Sequence, residues 1–311
     1  MVSLDEFVTM VKGNIKDYLP DQFQDYILME HKVRGVNTER CHLMFFSPDM
    51  KENVKVPSLR LDGAYESYKK GESLSGILEE LAEQFIQGYE KSEDPEVNID
   101  YDNLPDRVIM TVINTKENRE LLAGIPHRDF LDISVIYRCI HFMDDHSLAT
   151  SIINNYIMNE YGLTEEELFT AAVVNTREKM EAVSFPVIDN IKRCIMLEGI
   201  PEVIAERMAE IIPEEKLIWS ITNSHGIYGA SAMLYEENLY KVAQEVQNDL
   251  YVIPDSINGV MAVSVEVSPL SELKDILRIS AEEIPPEDKL SDRIYYYSRE
   301  ERKLTMANDD R

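Results

Sequence analysis

The sequence predicts an α+β protein. It reads as an N-terminal module of helices and a small sheet, a helical middle segment, and a C-terminal antiparallel β-α-β-β-α-β (ferredoxin-like) sandwich with helices on one face. Three observations predict this. Leu4, Phe7, Val8, Val11 and Ile15 recur at helical spacing, as do Leu74, Ile77, Leu78, Leu81 and Phe85. Short β-branched runs such as Val108 to Ile113 read as buried strands. From residue 215 to 307 strand and helix patterns follow in the order β-α-β-β-α-β, with one extra strand. The expected domains are residues 1–96, 97–213 and 214–311.

The first helix opens on a capping box, Ser3 with Glu6, in which each end satisfies a free backbone N–H of the other; Pro20 stops the chain continuing as a helix. Tyr26 to Val33 and Arg40 to Phe46 read as a hairpin with a longer loop, Arg34 to Glu39, and Val54 to Leu59 as a third strand. Helices follow over Asp62 to Lys70 and from Ser73. Lys91 to Tyr101, rich in Ser, Asp, Pro, Glu and Asn, is a linker. Thr115 to Leu122 reads as a helix, Asp132 to Arg138 as a strand, and Ser147 to Glu160 as a helix. A second capping box, Thr164 with Glu167, starts a helix to about Lys179. A further helix is expected from Pro201 to Ile212. The region from Trp219 to Val265 is the clearest local architecture: strand, turn, helix, strand, turn, strand. An amphipathic helix after Pro269 and a hairpin of Ile294 to Tyr297 with Leu304 to Ala307 complete the pattern. In Tyr295-Tyr296-Tyr297, strand alternation buries either the middle ring or the outer two.

The chain has 311 residues, 44% of them hydrophobic and 29% charged, a globular composition. Its longest apolar runs, such as Ile133 to Ile140, are broken by Ser134 and Arg138, so no membrane span and no export leader are expected. Three widely spaced cysteines, Cys41, Cys139 and Cys194, suit a reducing cytoplasm. The formal charge of −27 argues against nucleic acid and anionic membranes as partners. It suits either a generally acidic cytoplasmic protein or an acidic face that mimics nucleic acid.

No catalytic pattern is complete. His141, Asp144, Asp145 and His146 are the densest set of ligand types, but two histidines five apart share a helix face poorly, and a turn accounts for them; no metal or cofactor is expected. His127-Arg128-Asp129 lacks the rest of a kinase signature. It reads as a strand-entry loop, with Arg128 a candidate ligand contact. Asn223-Ser224-His225-Gly226 and Gly229-Ala230-Ser231 sit between a strand and a helix start, where small residues let backbone N–H groups approach an anion. The glycine spacing of a dinucleotide or phosphate loop is missing, and His225 has no acid partner for a triad.

Several segments together resemble a known family: Ile125-Pro-His-Arg-Asp-Phe-Leu-Asp-Ile-Ser-Val-Ile-Tyr-Arg, Tyr161-Gly-Leu-Thr-Glu-Glu-Glu-Leu, Gly229-Ala-Ser-Ala-Met-Leu-Tyr, Tyr251-Val-Ile-Pro-Asp-Ser and Leu290-Ser-Asp-Arg-Ile-Tyr-Tyr-Tyr. The set is similar to a domain-of-unknown-function family of anaerobic gut Firmicutes, from about residue 4 to 306. The resemblance implies a bacterial, cytoplasmic protein and transfers no catalytic residue.

The resulting expectation is a non-enzymatic binding or regulatory protein that acts on another protein. The alternative is an enzyme or small-ligand binder with a pocket formed by Asn223, Ser224, His225 and the loop to Gly229, by Asp255 and Ser256, and by His127, Arg128 and Asp129. That alternative requires the three segments to converge.

Overall fold

Contacts along the chain gather it into two units, Met1–Ile99 and Asp100–Arg311. The computed structural model describes residues 2–49, 56–92, 101, 103–144, 147–189, 203, 206 and 218–308. Apart from residues 203 and 206, the expected helix over 201–212 lies outside these residues, as do most of the expected linker and Cys194, Asp145 and His146.

In the first unit α1 (Leu4–Asn14) starts at the expected capping box. The Ser3 Oγ accepts the Glu6 N–H at 3.3 Å, and the Glu6 carboxylate accepts the Ser3 N–H at 2.7 Å. β1 (Ile27–Gly35) and β2 (Thr38–Phe46) form an antiparallel hairpin, and β3 (Ser58–Arg60) pairs with β2, giving the order β1-β2-β3. The hairpin turns in two residues, Val36 and Asn37, with Asn37 at φ 55°, a conformation asparagine tolerates. α2 (Asp62–Lys69) and α3 (Leu74–Ser92) follow. One face of the sheet, Leu28, Cys41, Leu43, Phe45 and Leu59, packs on Phe7, Val8 and Val11 of α1 and on Ile77, Leu78, Leu81 and Phe85 of α3.

The second unit holds two antiparallel sheets. β4 (Val108–Asn114) pairs with one edge of the long β6 (Ile133–Met143); β5 (His127–Phe130) and β7 (Leu148–Ile152) follow each other along its other edge. Around them lie α4 (Leu104–Arg107), α5 (Arg119–Leu122), α6 (Asn155–Glu160) and α7 (Glu165–Lys179). Two expectations are corrected here. The stretch Ser147 to Glu160 is not one helix: the Asp144 carboxylate caps the Ser147 N–H at 2.7 Å, turning the chain into a hairpin that makes Leu148–Ile152 a strand. The helix begins only at Asn154, whose side chain accepts the Ile157 N–H. Likewise His127 to Asp129 is no loop but β5, joined to β6 by a turn with Leu131 at φ 55°.

The larger sheet contains β8 (Ala182–Pro186), β9 (Trp219–Asn223), β10 (Leu250–Ser256), β11 (Gly259–Ser264), β12 (Tyr295–Ser298) and β13 (Lys303–Met306), in the order β13-β12-β10-β11-β9-β8. A 3₁₀ segment, Gly229–Leu234, and α8 (Glu236–Glu245) link β9 to β10; α9 (Leu270–Glu283) links β11 to β12. The α+β class and the β-α-β-β-α-β order hold, and β9-β11-β10 is the split β-α-β expected of a ferredoxin-like sandwich. The fourth strand departs from it. In that path β12 would pair with β9, but β8 occupies the free edge of β9, and β12 pairs with β10 instead. Since both crossovers now advance in the same direction from antiparallel strands, right-handed connections must place their helices on opposite faces. The side chains agree: Leu250 and Val252 meet Leu239, Val242 and Ala243 of α8, whereas Tyr251 and Ile253 meet Leu273 and Leu277 of α9. Helices on one face is therefore corrected to helices on both.

The main core runs from Leu104 to Tyr297, joining β4, β6 and α7 to the α8 face of the larger sheet. It crosses the residue 213/214 division drawn from the sequence. Of the three adjacent tyrosines, Tyr295 and Tyr297 enter this core and Tyr296 faces the α9 side, the second of the two alternations expected. Among the described residues no helix is long and apolar enough to cross a membrane.

Candidate functional site

Two of the three segments singled out in the sequence do meet. The loop after β9 and the β10–β11 turn are joined through Asn258: its carbonyl accepts the Thr222 hydroxyl at 2.6 Å, and its side-chain oxygen accepts the Tyr228 N–H at 3.1 Å. The Ala230 N–H donates to the Ile257 carbonyl at 3.1 Å. Gly229 lies in the seam, where a Cβ would stand 2.2 Å from the Thr222 Oγ1 and 2.7 Å from the Asn258 carbonyl oxygen. That contact is what requires glycine there. The Asn223 side chain serves the loop itself. The Asn223 Oδ1 accepts the His225 N–H and its Nδ2 donates to the Ile227 carbonyl, while the Ser224 N–H donates to Glu181. The Ser256 Oγ accepts the Asn258 N–H. Asp255 is half-buried, and burial raises its carboxyl above the usual range against the opposing pull of nearby backbone N–H groups.

The third segment is divided by strand alternation. Arg128 points to the core side of β5, where its guanidinium grips Glu165 at 2.7 and 3.1 Å and Glu166 at 2.6 Å, and lies 3.9 Å over the Phe169 ring. The Tyr137 hydroxyl also donates to Glu165. Burial draws the Glu165 carboxyl upward, but the hydrogen bonds from Arg128 and Tyr137 outweigh it and hold the group below its ordinary range. Arg128 is thus committed to the first turn of α7, where two carboxylates also suit the helix dipole. His127 and Asp129 point to the other face. There the Asp129 carboxylate accepts the Ser134 hydroxyl at 2.7 Å, and His127 Nδ1 meets the Ile125 carbonyl at 3.0 Å.

On that same face stands Arg138, which was legible only as a charge interrupting an apolar run. Its Nε donates to the Thr150 hydroxyl at 2.9 Å and its guanidinium lies 4.5 Å over the Tyr228 ring. Burial lowers its affinity for the proton, and among the described residues no carboxylate pairs with it. Tyr228 itself sits at φ 57°, a strained position for a bulky residue. A cavity of about 240 Å³ lined by Pro105, Leu163, Glu167 and Leu168 includes none of these groups.

The other exposed concentration is in the first unit. The outer face of the small sheet carries Ile27, Met29, His31 and Val33 from β1, Arg40, His42, Met44 and Phe46 from β2, and Ser58 and Arg60 from β3. Ile27 is 61% exposed, Met29 52% and Val33 39%, an apolar strip left in solvent. No Asp or Glu lies at a strand position on this face, in a chain of net charge −27. Burial, then the charges of Arg60, Arg40 and His31 against the pull of Asp62, keeps the His42 imidazole below its ordinary range. Arg60 reaches Asp62 at 3.2 Å. The alternation of β1 was legible in the sequence, but not which of its faces would be left uncovered.

As for metals, His141 Nε2 bonds the Ser151 hydroxyl at 2.7 Å. Among the described residues no group of three or more His, Cys, Asp or Glu side chains is placed to hold an ion. Cys41 and Cys139 are buried, and burial, followed by the charges of Glu30 and Asp62, pushes the Cys41 thiol up to about 11.

Fold and sites together define an α+β protein of two units with antiparallel sheets. The chain belongs to a family of unknown function, DUF5688, whose model matches residues 4–299. No curated protein and no solved structure matches it.

Proposed function

We propose that the protein works by binding another protein through the outer face of the sheet β1-β2-β3. One observation carries this reading: an exposed apolar strip, Ile27, Met29 and Val33, flanked by His31, Arg40 and His42 with no strand carboxylate, on a strongly acidic chain. Exposed apolar area rimmed by charge is the ordinary mark of a protein-binding surface. The charge selects an acidic partner segment with apolar side chains. This face gives the nucleic-acid-mimic version of the expectation no row of carboxylates to rest on. The small-ligand alternative is weaker, because the polar atoms of Asn223 are spent on their own loop and Arg128 on Glu165.

Photo-crosslinking in lysate from a probe at Met29, compared with one at Ile279, which is 60% exposed on α9, tests the reading. We expect a discrete adduct from Met29 alone, lost when Arg40→Glu reverses the charge. Identical adduct patterns from both positions would overturn it.

A further inference from the structure

We infer that β1 also pairs, through its outer edge, with β1 of a second copy of this chain, in antiparallel register about His31. This does not rest on the reading above, because edge pairing uses backbone groups and leaves the outer face open.

Among the described residues β2 is the only strand paired with β1. The two-residue turn makes Gly35 and Thr38 a doubly hydrogen-bonded pair, so the odd-numbered residues of β1 spend their N–H and C=O on β2. The far side of β2 confirms the phase: the Cys41 carbonyl accepts the Leu61 N–H and the Phe45 N–H donates to the Pro57 carbonyl, both on the β3 side. Leu28, Glu30 and Lys32 therefore aim their backbone groups at the open edge. From Glu30 to Arg34 the side chains are exposed, with Lys32 reaching Asp5 of α1 at 3.4 Å and Glu30 at 3.8 Å, and Arg34 reaching Glu39 at 3.7 Å.

The sequence of β1 selects the occupant. An incoming antiparallel copy must match even residues with even residues. Centred on Glu30, the pairing sets Glu30 against Glu30; centred on Lys32, it sets Glu30 against Arg34 twice but Lys32 against Lys32 at the axis. Centred on His31, it sets Glu30 against Lys32 twice, and Met29 against Val33 twice on the other face. Opposite charges across strands stabilise and like charges destabilise. The charges thus act as a register lock, and they also bar the edge from indiscriminate pairing. One strand pair covers less than the roughly 800 Å² per partner of a standard interface, so the association is weak and concentration-dependent.

The His31 residues of the two copies face each other at the two-fold axis as a non-hydrogen-bonded pair, with Cα atoms about 4.5 Å apart, within disulfide reach. In oxidising buffer, the full-length His31→Cys variant is expected to form covalent dimer at least about 10-fold faster than Val33→Cys, whose copies lie roughly four residues out of register. Sedimentation of the wild-type chain should show reversible dimer, lost in Lys32→Glu and restored in the Glu30→Lys, Lys32→Glu double variant. Equal cross-linking at 31 and 33 would overturn the inference. So would a wild-type chain that stays monomeric to about 1 mM, or a charge swap that fails to restore dimer while circular dichroism shows it folded.

Discussion

The two units build antiparallel sheets of similar chemistry and finish them differently. The sheet β8–β13 receives α8 on one face and α9 on the other, so its central strand is buried through Leu250, Tyr251, Val252 and Ile253 in succession. Among the described residues the sheet β1–β3 is covered on one face only, by α1 and α3, and β1 alternates from a buried Leu28 to exposed Ile27 and Met29. Apolar residues on a covered face explain themselves by packing. On a face left bare among the described residues they support the proposed binding role of the smaller unit.

Substitutions can break this contrast. Leu250→Ala empties a fully buried position between β10 and α8 and should cost about 2–5 kcal/mol. Met29→Ala on the bare face should shift stability by no more than about 0.5 kcal/mol. Urea titration of both variants measures the pair, and a Met29 cost matching that of Leu250 would mean the outer face is packed after all. Next in size is Gly229→Ala, whose Cβ meets backbone atoms at 2.7 Å and can be seated only by moving the β10–β11 turn. A loss of about 1–3 kcal/mol is expected in the same titration.

Glu165→Ala is the finer test of the covered region. It leaves Arg128 with Glu166 alone and the buried Tyr137 hydroxyl without its acceptor, for about 1–2 kcal/mol after allowing for partial exposure. The sign with pH follows from a carboxyl held lower in the folded state than in the unfolded one. Its contribution is present above the unfolded value of about 4.3 and fades as pH falls through the folded one. The gap between wild type and Glu165→Ala should therefore narrow on acidification below about pH 4. A gap that stays constant down to pH 2 would assign the loss to packing.

Local chemistry made much of the fold legible. Both capping boxes, the β1–β2 hairpin and the tyrosine alternation follow from spacing alone, since each depends on neighbours in sequence. The exceptions involve distant partners. Leu148-Ala-Thr-Ser-Ile becomes a strand only because β6 continues to Met143 and offers an edge. The strand path of the larger sheet turned on β8, whose claim on the edge of β9 leaves no local trace. At the candidate sites, residue type was visible but direction was not. Arg128 and His127 are adjacent, and alternation sends one to Glu165 and the other to the opposite face. Arg138 was in plain view as the break in an apolar run, yet only the fold sets it over Tyr228.

The pairing of β12 with β10 also bears on how the chain is made. Tyr295 and Tyr297 fill the core between strands formed far earlier in the sequence, so during synthesis that core waits, open, for them. Among the described residues the smaller unit draws its core from its own segment, and it can close while the ribosome is still at work. A nascent chain halted before Tyr295 would thus display a folded β1 face while the larger unit is unfinished, and the proposed binding surface would be the first part of the molecule to become competent.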